Sequence, residues 1–289
     1  GVYREIISAC RALQYPLRGS YLGPEGSFSH QAAHNEFGGS AELAAAENFE
    51  EIFDEVETGR SSLGVVPVEN SSEGSIGTVL DLLSASSLTV SAELFEKINH
   101  FLLSKSDKLS GVRVVASHPQ ALAQSKKWIS RKLPGAKIRE TSSTAEAARL
   151  ASRSKEIGAV AGRHSASIYE LNVLGKNIED NKSNTTRFFV IGRQMSAPSG
   201  DDRTSIVFSL KDKPGELQKV FFQPFAEAGV NLTKIESRPS KENPWEYIFF
   251  VDFKGHRDEK PIEKLLAKLA GNCVYLKVLG SYPVGDPGR

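Results

Sequence analysis

Apolar positions in the first two thirds of the chain follow two alternating rhythms. Short apolar runs bounded by Gly, Pro and Ser predict strands at Arg18–Leu22, 62–68, 88–103, 113–116, 137–141, Ile157–Ala161 and 187–191. Between them, apolar residues recur every three or four positions and predict helices over 29–37, 49–58, 77–84, 119–132, 144–153 and 165–171. Strand alternating with helix is the pattern of an α/β layered fold. The apolar stretch 94–103 is long enough to carry the chain from one lobe into a second, and the strand at 187–191 returns it. Two lobes with a cleft is the simplest arrangement. A helix over 2–14, stopped by Pro16, precedes all of this.

The rhythm changes after 195–202, a linker rich in Pro, Gly, Ser and Asp. Ile206, Phe208 and Leu210 alternate as in a strand. Leu217, Val220, Phe221 and Phe225 take helical spacing after Pro214-Gly215. Strands follow at 230–236 and 247–253, then a helix through Ile262, Leu265, Leu266 and Leu269, and a strand at 274–279. The order βαββαβ is a ferredoxin-like α+β module, separate from the first region.

Composition excludes several classes. A chain of 289 residues fits about two domains. Its 39% hydrophobic and 25% charged residues suit a globular core and exclude disorder. Thirty-six Lys plus Arg against 35 Asp plus Glu leave a net charge of +1, with no basic footprint for nucleic acid. No apolar run approaches the ~20 residues of a spanning helix, so no membrane partner is expected. Cys10 and Cys273 make neither a disulfide framework nor a metal clip. Without a signal-peptide pattern, the expected location is the cytoplasm.

The candidate chemistry lies where strands run into helix starts: 23–29, 69–77, 117–120 and 141–144 are rich in Ser, Thr and Gly. Helix N-termini carry free N–H groups and bind anions, and ligands of open α/β sheets bind at strand carboxyl ends. Each Ser or Thr taken singly is also an ordinary N-cap. No GxGxxG after a strand, Walker A or HExxH motif is present. His30 and His34 stand at i, i+4 with no Cys or carboxylate clip beside them, so no metal is expected.

YLGPEGSFSHQAA, GVVPVENSSEGSIG, SHPQALAQ and NTTRFFVIG, in this order, closely resemble prephenate dehydratase, the enzyme of phenylalanine biosynthesis. PGELQKVF and GVNLTKIESRPSKENPWEYIFFVDFKGH resemble its regulatory ACT domain. Residues 2–14 resemble the last helix of the chorismate mutase domain fused to it in bifunctional proteins. The resemblance implies a two-lobed, periplasmic-binding-protein-like (type II) α/β catalytic domain followed by the ACT module. The implied segments are a mutase remnant at 1–17, a dehydratase domain at 18–194 and a linker at 195–202. The ACT domain at 203–283 and a tail at 284–289 follow. Within the dehydratase, lobe 1 takes about 18–100 and 181–194, and lobe 2 about 101–180.

The implied reaction needs no cofactor. Prephenate loses carbon dioxide and its 4-hydroxyl to give phenylpyruvate, driven by aromatisation, with a donor assisting the poor leaving group. Carried over by motif, Thr186 assists the leaving hydroxyl. Arg187 pairs a substrate carboxylate or makes a structural salt bridge. Asn70 and Ser71 belong to the substrate loop, beside Glu69, which is either an acid or a helix-end carboxylate. Ser117 and Gln124 bind or orient substrate, and His118 is a cap or a site residue. In the ACT module the resemblance implies L-phenylalanine binding at Gly215, Glu216, Leu217, Asn231, Leu232, Glu236, Ser237, Arg238 and Pro239. Glu216 departs from the Ala often found there. The residues of strand 247–253, with Phe249, Phe250 and Phe253, suggest an exposed face on which modules pair, as a homodimer or homotetramer. No mutase activity is expected from this chain. The rival readings are an arogenate dehydratase and a non-catalytic two-lobed amino-acid sensor.

Overall fold

The computed structural model describes residues 17–211, 213–240 and 247–286; the helix expected over 2–14 lies outside them. In chain order the first elements are β1 (Arg18–Leu22), α1 (Phe28–Phe37), β2 (Glu42–Ala46), α2 (Phe49–Glu57), β3 (Leu63–Asn70), β4 (Gly74–Ser75), α3 (Gly77–Ala85), β5 (Thr89–Lys97) and β6 (Phe101–Ser104). Then come β7 (Val114–Ser117), α4 (Pro119–Gln124), α5 (Lys126–Lys132), β8 (Lys137–Glu140), α6 (Thr144–Ala151), β9 (Ile157–Ala161), α7 (His164–Ile168), β10 (Asn172–Gly175) and β11 (Thr185–Gly192). The C-terminal module comprises β12 (Asp202–Ser209), a π-helical segment (Leu217–Phe222) leading into α8 (Gln223–Ala228), β13 (Leu232–Pro239), β14 (Tyr247–Lys254), α9 (Lys260–Ala270) and β15 (Tyr275–Pro283).

The described residues form two compact units, residues 17–76 with 95–188, and Gly77–Leu94 with Phe189–Asp286. The first unit has the expected two lobes. One sheet runs β2-β1-β3-β11-β5, with β4 added to β3; the other runs β10-β6-β9-β7-β8. β1 lies parallel to β2 and β3, and β7 parallel to β8 and β9. Strands of this type are covered on both faces and read as continuous apolar runs. Val65, Val66 and Val68, and Ala159, Val160 and Ala161, are accordingly all buried. In the second lobe the alanines of α6 (Ala147, Ala148, Ala151) pack on Ala116, Ala159 and Ala161, so helix and sheet approach closely.

Two expected elements are broken. The single strand over 88–103 is really β5 in one sheet and β6 in the other, with 98–100 crossing between lobes. The crossing, Ile98-Asn99-His100, keeps the alternating burial of a strand and contains no Gly or Pro, which hides the break from a periodicity reading. The chain returns over 176–184, and the two crossings are hydrogen-bonded: Ile98 N donates to Asn184 O (2.9 Å) and Ile178 N to His100 O (2.9 Å). The helix expected over 119–132 is interrupted at Ser125. β2 and β10 were not expected; both are short, and β2 is Ala-rich, a composition that favours helix.

In the second unit the antiparallel sheet β13-β14-β12-β15 has the ferredoxin-like order. Its core packs Ile206, Phe208, Phe221, Phe225, Val251, Phe253, Ile262, Leu265 and Leu269. Burying each such side chain contributes roughly 1.5–3 kcal/mol. Phe250 and Phe253 are buried, so the exposed face expected from strand 247–253 is not made by them. The π-helical turns before α8 precede Pro224, which has no N–H and whose ring crowds the preceding turn; the wider turn accommodates it. α3 and the first half of β5 belong to this unit. A Cβ at Gly280 of β15 would overlap the backbone of Val90 in β5, so only glycine permits that approach. Arg203 grips Glu93 with Nη1 2.6 Å from both carboxylate oxygens, and Gly285 N donates to the same group at 2.9 Å.

Candidate active site

A cavity of about 490 Å³ opens within the first unit, at the carboxyl ends of β1, β3 and β7. The start of α1 (Ser27, Phe28, Ser29) and the turn into α6 (Ser142, Ser143, Thr144) line it. The β3–β4 hairpin contributes Asn70, Glu73, Ser75 and Ile76, and the crossing contributes Ile98 and His100. His118, Gln120 and Gln124 come from α4 and its cap; Asn184, Thr186 and Phe188 come from the approach to β11 and the strand itself.

The helix starts are capped as their sequence dictates. Ser27 Oγ accepts from His30 N (3.1 Å), Ser143 Oγ from Glu146 N (3.0 Å), and His118 Nδ1 from Gln120 N (3.3 Å). The caps satisfy deeper N–H groups and leave the first ones of α1 and α6 without an intrahelical partner. Those ends supply positive potential to a cavity whose lining includes no Lys or Arg and one carboxylate, Glu73.

A hydrogen-bonded network crosses the cavity. Asn70 Oδ1 accepts from Ser72 N (2.9 Å) and Glu73 N (3.3 Å), which fixes the amide. Its Nδ2 then donates to Thr186 Oγ1 and to Asn184 Oδ1, both at 2.9 Å. Because Thr186 Oγ1 is an acceptor there, its own proton is left to donate elsewhere. Gln124 Oε1 stands 2.9 Å from His100 Nε2 and 3.4 Å from Asn184 Nδ2, so the Gln124 amide protons stay available to a ligand. This arrangement makes His100 Nε2 the protonated nitrogen. Burial pushes the His100 pKa down, against the bond to Gln124 and the charge of Glu179, so the ring is neutral. His100 Nδ1 is buried without a hydrogen-bond partner among the described residues.

Of the expected substrate residues, Asn70, Gln124 and Thr186 come together here. Four others do not line the cavity. Ser117 is fully buried, and its Oγ donates to Val160 O at 2.5 Å, tying β7 to β9. Ser71 Oγ donates to Ser183 O (3.3 Å) and accepts from Thr185 N (3.0 Å), fastening the hairpin to β11. Arg187 is buried on the far side of β11, because side chains alternate along a strand and Thr186 and Phe188 take the cavity side. Glu69 likewise lies outside the lining, where Glu73 stands instead. Asn184 and His100 were missed. Asn184 was legible, since it stands two residues before Thr186 and therefore on the same face; His100 was not, since a histidine in an apolar run carries no spacing signal.

The expected effector residues stand at two places: the turn at Gly215, Glu216 and Leu217, and the stretch from Asn231 and Leu232 to Glu236–Pro239 of β13. Lys234 Nζ lies 3.5 Å from Glu236 Oε2. Arg238 is turned towards α3, with Nε 3.4 Å from Asp81 Oδ1. Among the described residues no His, Cys, Asp and Glu cluster could hold a metal ion, and no helix is long and apolar enough to cross a membrane.

Comparison with known proteins decides the family. Residues 20–196 match the family model for prephenate dehydratase, and residues 204–271 match that for the ACT domain. This chain belongs to the prephenate dehydratase family. A bifunctional chorismate mutase/prephenate dehydratase of Aquifex aeolicus is 46% identical over 98% of this chain and 78% of its own length. A crystal structure of prephenate dehydratase in complex with L-Phe, from Arthrobacter aurescens, matches with a TM-score of 0.84 at 31% identity, over 94% of this chain and 91% of that one. Arogenate dehydratase 2 of Petunia hybrida is 36% identical over 92% of this chain and 72% of its length. The family's two-part organisation, a two-lobed α/β catalytic region and an ACT module, is the one seen here.

Proposed function

We propose that the cavity converts prephenate to phenylpyruvate, with Thr186 as the group that meets the leaving hydroxyl. The observation that carries this reading is the 2.9 Å bond from Asn70 Nδ2 to Oγ1 of Thr186, a residue of the cavity lining, which leaves the Thr186 proton free for a hydrogen bond to a substrate. As the C–O bond breaks, the Thr186 hydroxyl donates a hydrogen bond to the departing hydroxide and keeps its own proton. The electron pair of the breaking C–CO₂ bond completes the aromatic ring. The dianion becomes phenylpyruvate, carbon dioxide and hydroxide, so atoms and charge balance. A donor fixed in advance, where charge develops, stabilises the transition state more than the ground state. The N-termini of α1 and α6 suit the pyruvyl carboxylate. Phe28, Ile98 and Phe188 give the ring carboxylate an apolar wall. Gln124 orients the substrate through its free amide protons.

Effector binding by L-phenylalanine at Gly215, Glu216 and Leu217 and at Asn231, Leu232, Glu236, Ser237 and Pro239 is part of the same reading, supported by the L-Phe complex of the Arthrobacter relative; Arg238, expected among them, is turned to Asp81 instead. So are assembly as a dimer or tetramer, a cytoplasmic location, and the absence of chorismate mutase turnover from these 289 residues, in which only 2–14 resemble a mutase.

The test is phenylpyruvate formation from prephenate by the chain and by Thr186→Ala, with and without L-phenylalanine, and with chorismate as a control substrate. Thr186→Ala should lower kcat by about 10²–10⁴-fold with KM changed little. A wild-type kcat in that variant would overturn the role. A second reading, arogenate as substrate, is favoured by the Petunia relative and predicts turnover on arogenate in place of prephenate.

A further inference from the structure

α3 begins one residue after Ile76, and Ser75 and Ile76 line the cavity. Ile76 N is fixed to Val68 O at 2.9 Å, so α3 grows directly out of the substrate hairpin. Within the second unit, side chains of the ACT sheet hold both ends of this helix. Lys277 of β15 donates its Nζ to Leu83 O (2.7 Å), Ser84 O (3.1 Å) and Ser86 O, the unsatisfied carbonyls of the C-terminal turn. A cation is favoured at that end by the helix dipole.

The other end follows a different logic. Arg238 of β13 lays its guanidinium against Gly77, where a Cβ would fall inside the guanidinium group. Its Nε lies 3.4 Å from Asp81 Oδ1, one turn further on, with side chains 26% and 14% exposed. A cation in the first turn opposes the helix dipole, so helix stability alone would place an acid there. What the pairing achieves is a defined position: a flat group on a glycine, clamped by one carboxylate. Gly77 closes the GSIG run of the hairpin, and Arg238 stands among the residues expected to bind the effector.

We propose that Arg238 is a positioning residue. Through Gly77 and Asp81 it sets the start of α3 and thereby Ser75 and Ile76 at the cavity, so that a displacement of the end of β13 is read as a change in substrate binding. Its link to L-phenylalanine rests on the effector reading above; its effect on the hairpin does not.

The experiment uses the full chain with Arg238→Ala, Arg238→Lys, Asp81→Asn and Gly77→Ala. It measures kcat and KM for prephenate, inhibition by L-phenylalanine, L-phenylalanine binding by equilibrium dialysis, and Tm. Arg238→Ala and Asp81→Asn should raise KM about five-fold with kcat within about two-fold, and Arg238→Lys should recover part of that loss. Gly77→Ala, which displaces the guanidinium without removing it, should give the same split. Inhibition should weaken about ten-fold or more while L-phenylalanine affinity stays within about three-fold. A variant with wild-type KM and inhibition and only a lower Tm would overturn the proposal. So would loss of L-phenylalanine binding in step with loss of inhibition, which would make Arg238 an effector ligand. A wild-type enzyme indifferent to L-phenylalanine would remove the effector reading alone, and the KM arm would then decide.

Discussion

Ser117 and Thr186 are both hydroxyls from the segments that carry the family resemblance, and the structure gives them opposite work. Thr186 accepts from Asn70 at the cavity wall, whereas Ser117 spends its proton on Val160 O inside the second sheet. Ser117→Ala should therefore cost about 1 kcal/mol of stability, the net worth of one intramolecular hydrogen bond, and leave KM for prephenate within about two-fold. Urea unfolding read beside steady-state kinetics checks both halves. A large rise in KM at unchanged stability would return Ser117 to the substrate. At this scale the motifs mark the segments that meet at the cavity but not which of their side chains face it. Motif position placed Ser117, Ser71, Glu69 and Arg187 beside the substrate, and strand alternation turned Arg187 away while Ser117 and Ser71 fasten strands.

Among the elements, α1 carries an acid-sensitive contact. His30 accepts from Gly26 N through Nδ1 (3.0 Å), stacks on Tyr21 at 4.7 Å and meets the edge of His164 at 4.8 Å. Burial, then the neighbouring His164 and His34, push its pKa down to about 4. His164 is lowered for the same first reason. The unfolded chain takes up these protons near pH ~6.5 and the folded chain does not. The unfolded state thus binds more protons between those values, and stability falls as pH drops from about 6.5 towards 4. The urea midpoint should be level above pH ~7 and decline by pH ~5, before most carboxylates titrate; His30→Asn should flatten that decline. An unchanged wild-type midpoint between those pH values would exclude the contact as its source. Elements with strong periodicity were legible: α2, α9, β1 and β9 fall within a residue or two of their expected bounds. β2 was not, because a Glu-Leu-Ala-Ala-Ala run has no strand signature until β1 pairs with it. The crossing within 94–103 was legible, but not the break at 98–100, where burial alternates as it does in a strand.

At the scale of the molecule, the close approach of β15 to β5 rests on one missing methyl group. Gly280→Ala would drive a Cβ into the Val90 backbone. It should destabilise by about 1–3 kcal/mol, the range for overpacking a close-packed site. A thermal unfolding midpoint equal to wild type would show that the sheet has room there. None of this contact was visible in the sequence, where residues 77–94 read as an ordinary part of the first domain and the linker at 195–202 as the natural border.

The clasp on α3 gives that border a different meaning. A cut in the gene at 195–202 would not cut the protein along its own seam. It would leave α3 without the lysine that closes one end and the arginine seated on the other. Side chains of the ACT sheet thus hold both ends of a helix that lies before the linker in sequence. Any graft of a foreign βαββαβ module onto this enzyme would have to bring its own counterparts for Gly77, Asp81 and Val90, or the recipient would inherit a frayed helix at the threshold of its active site.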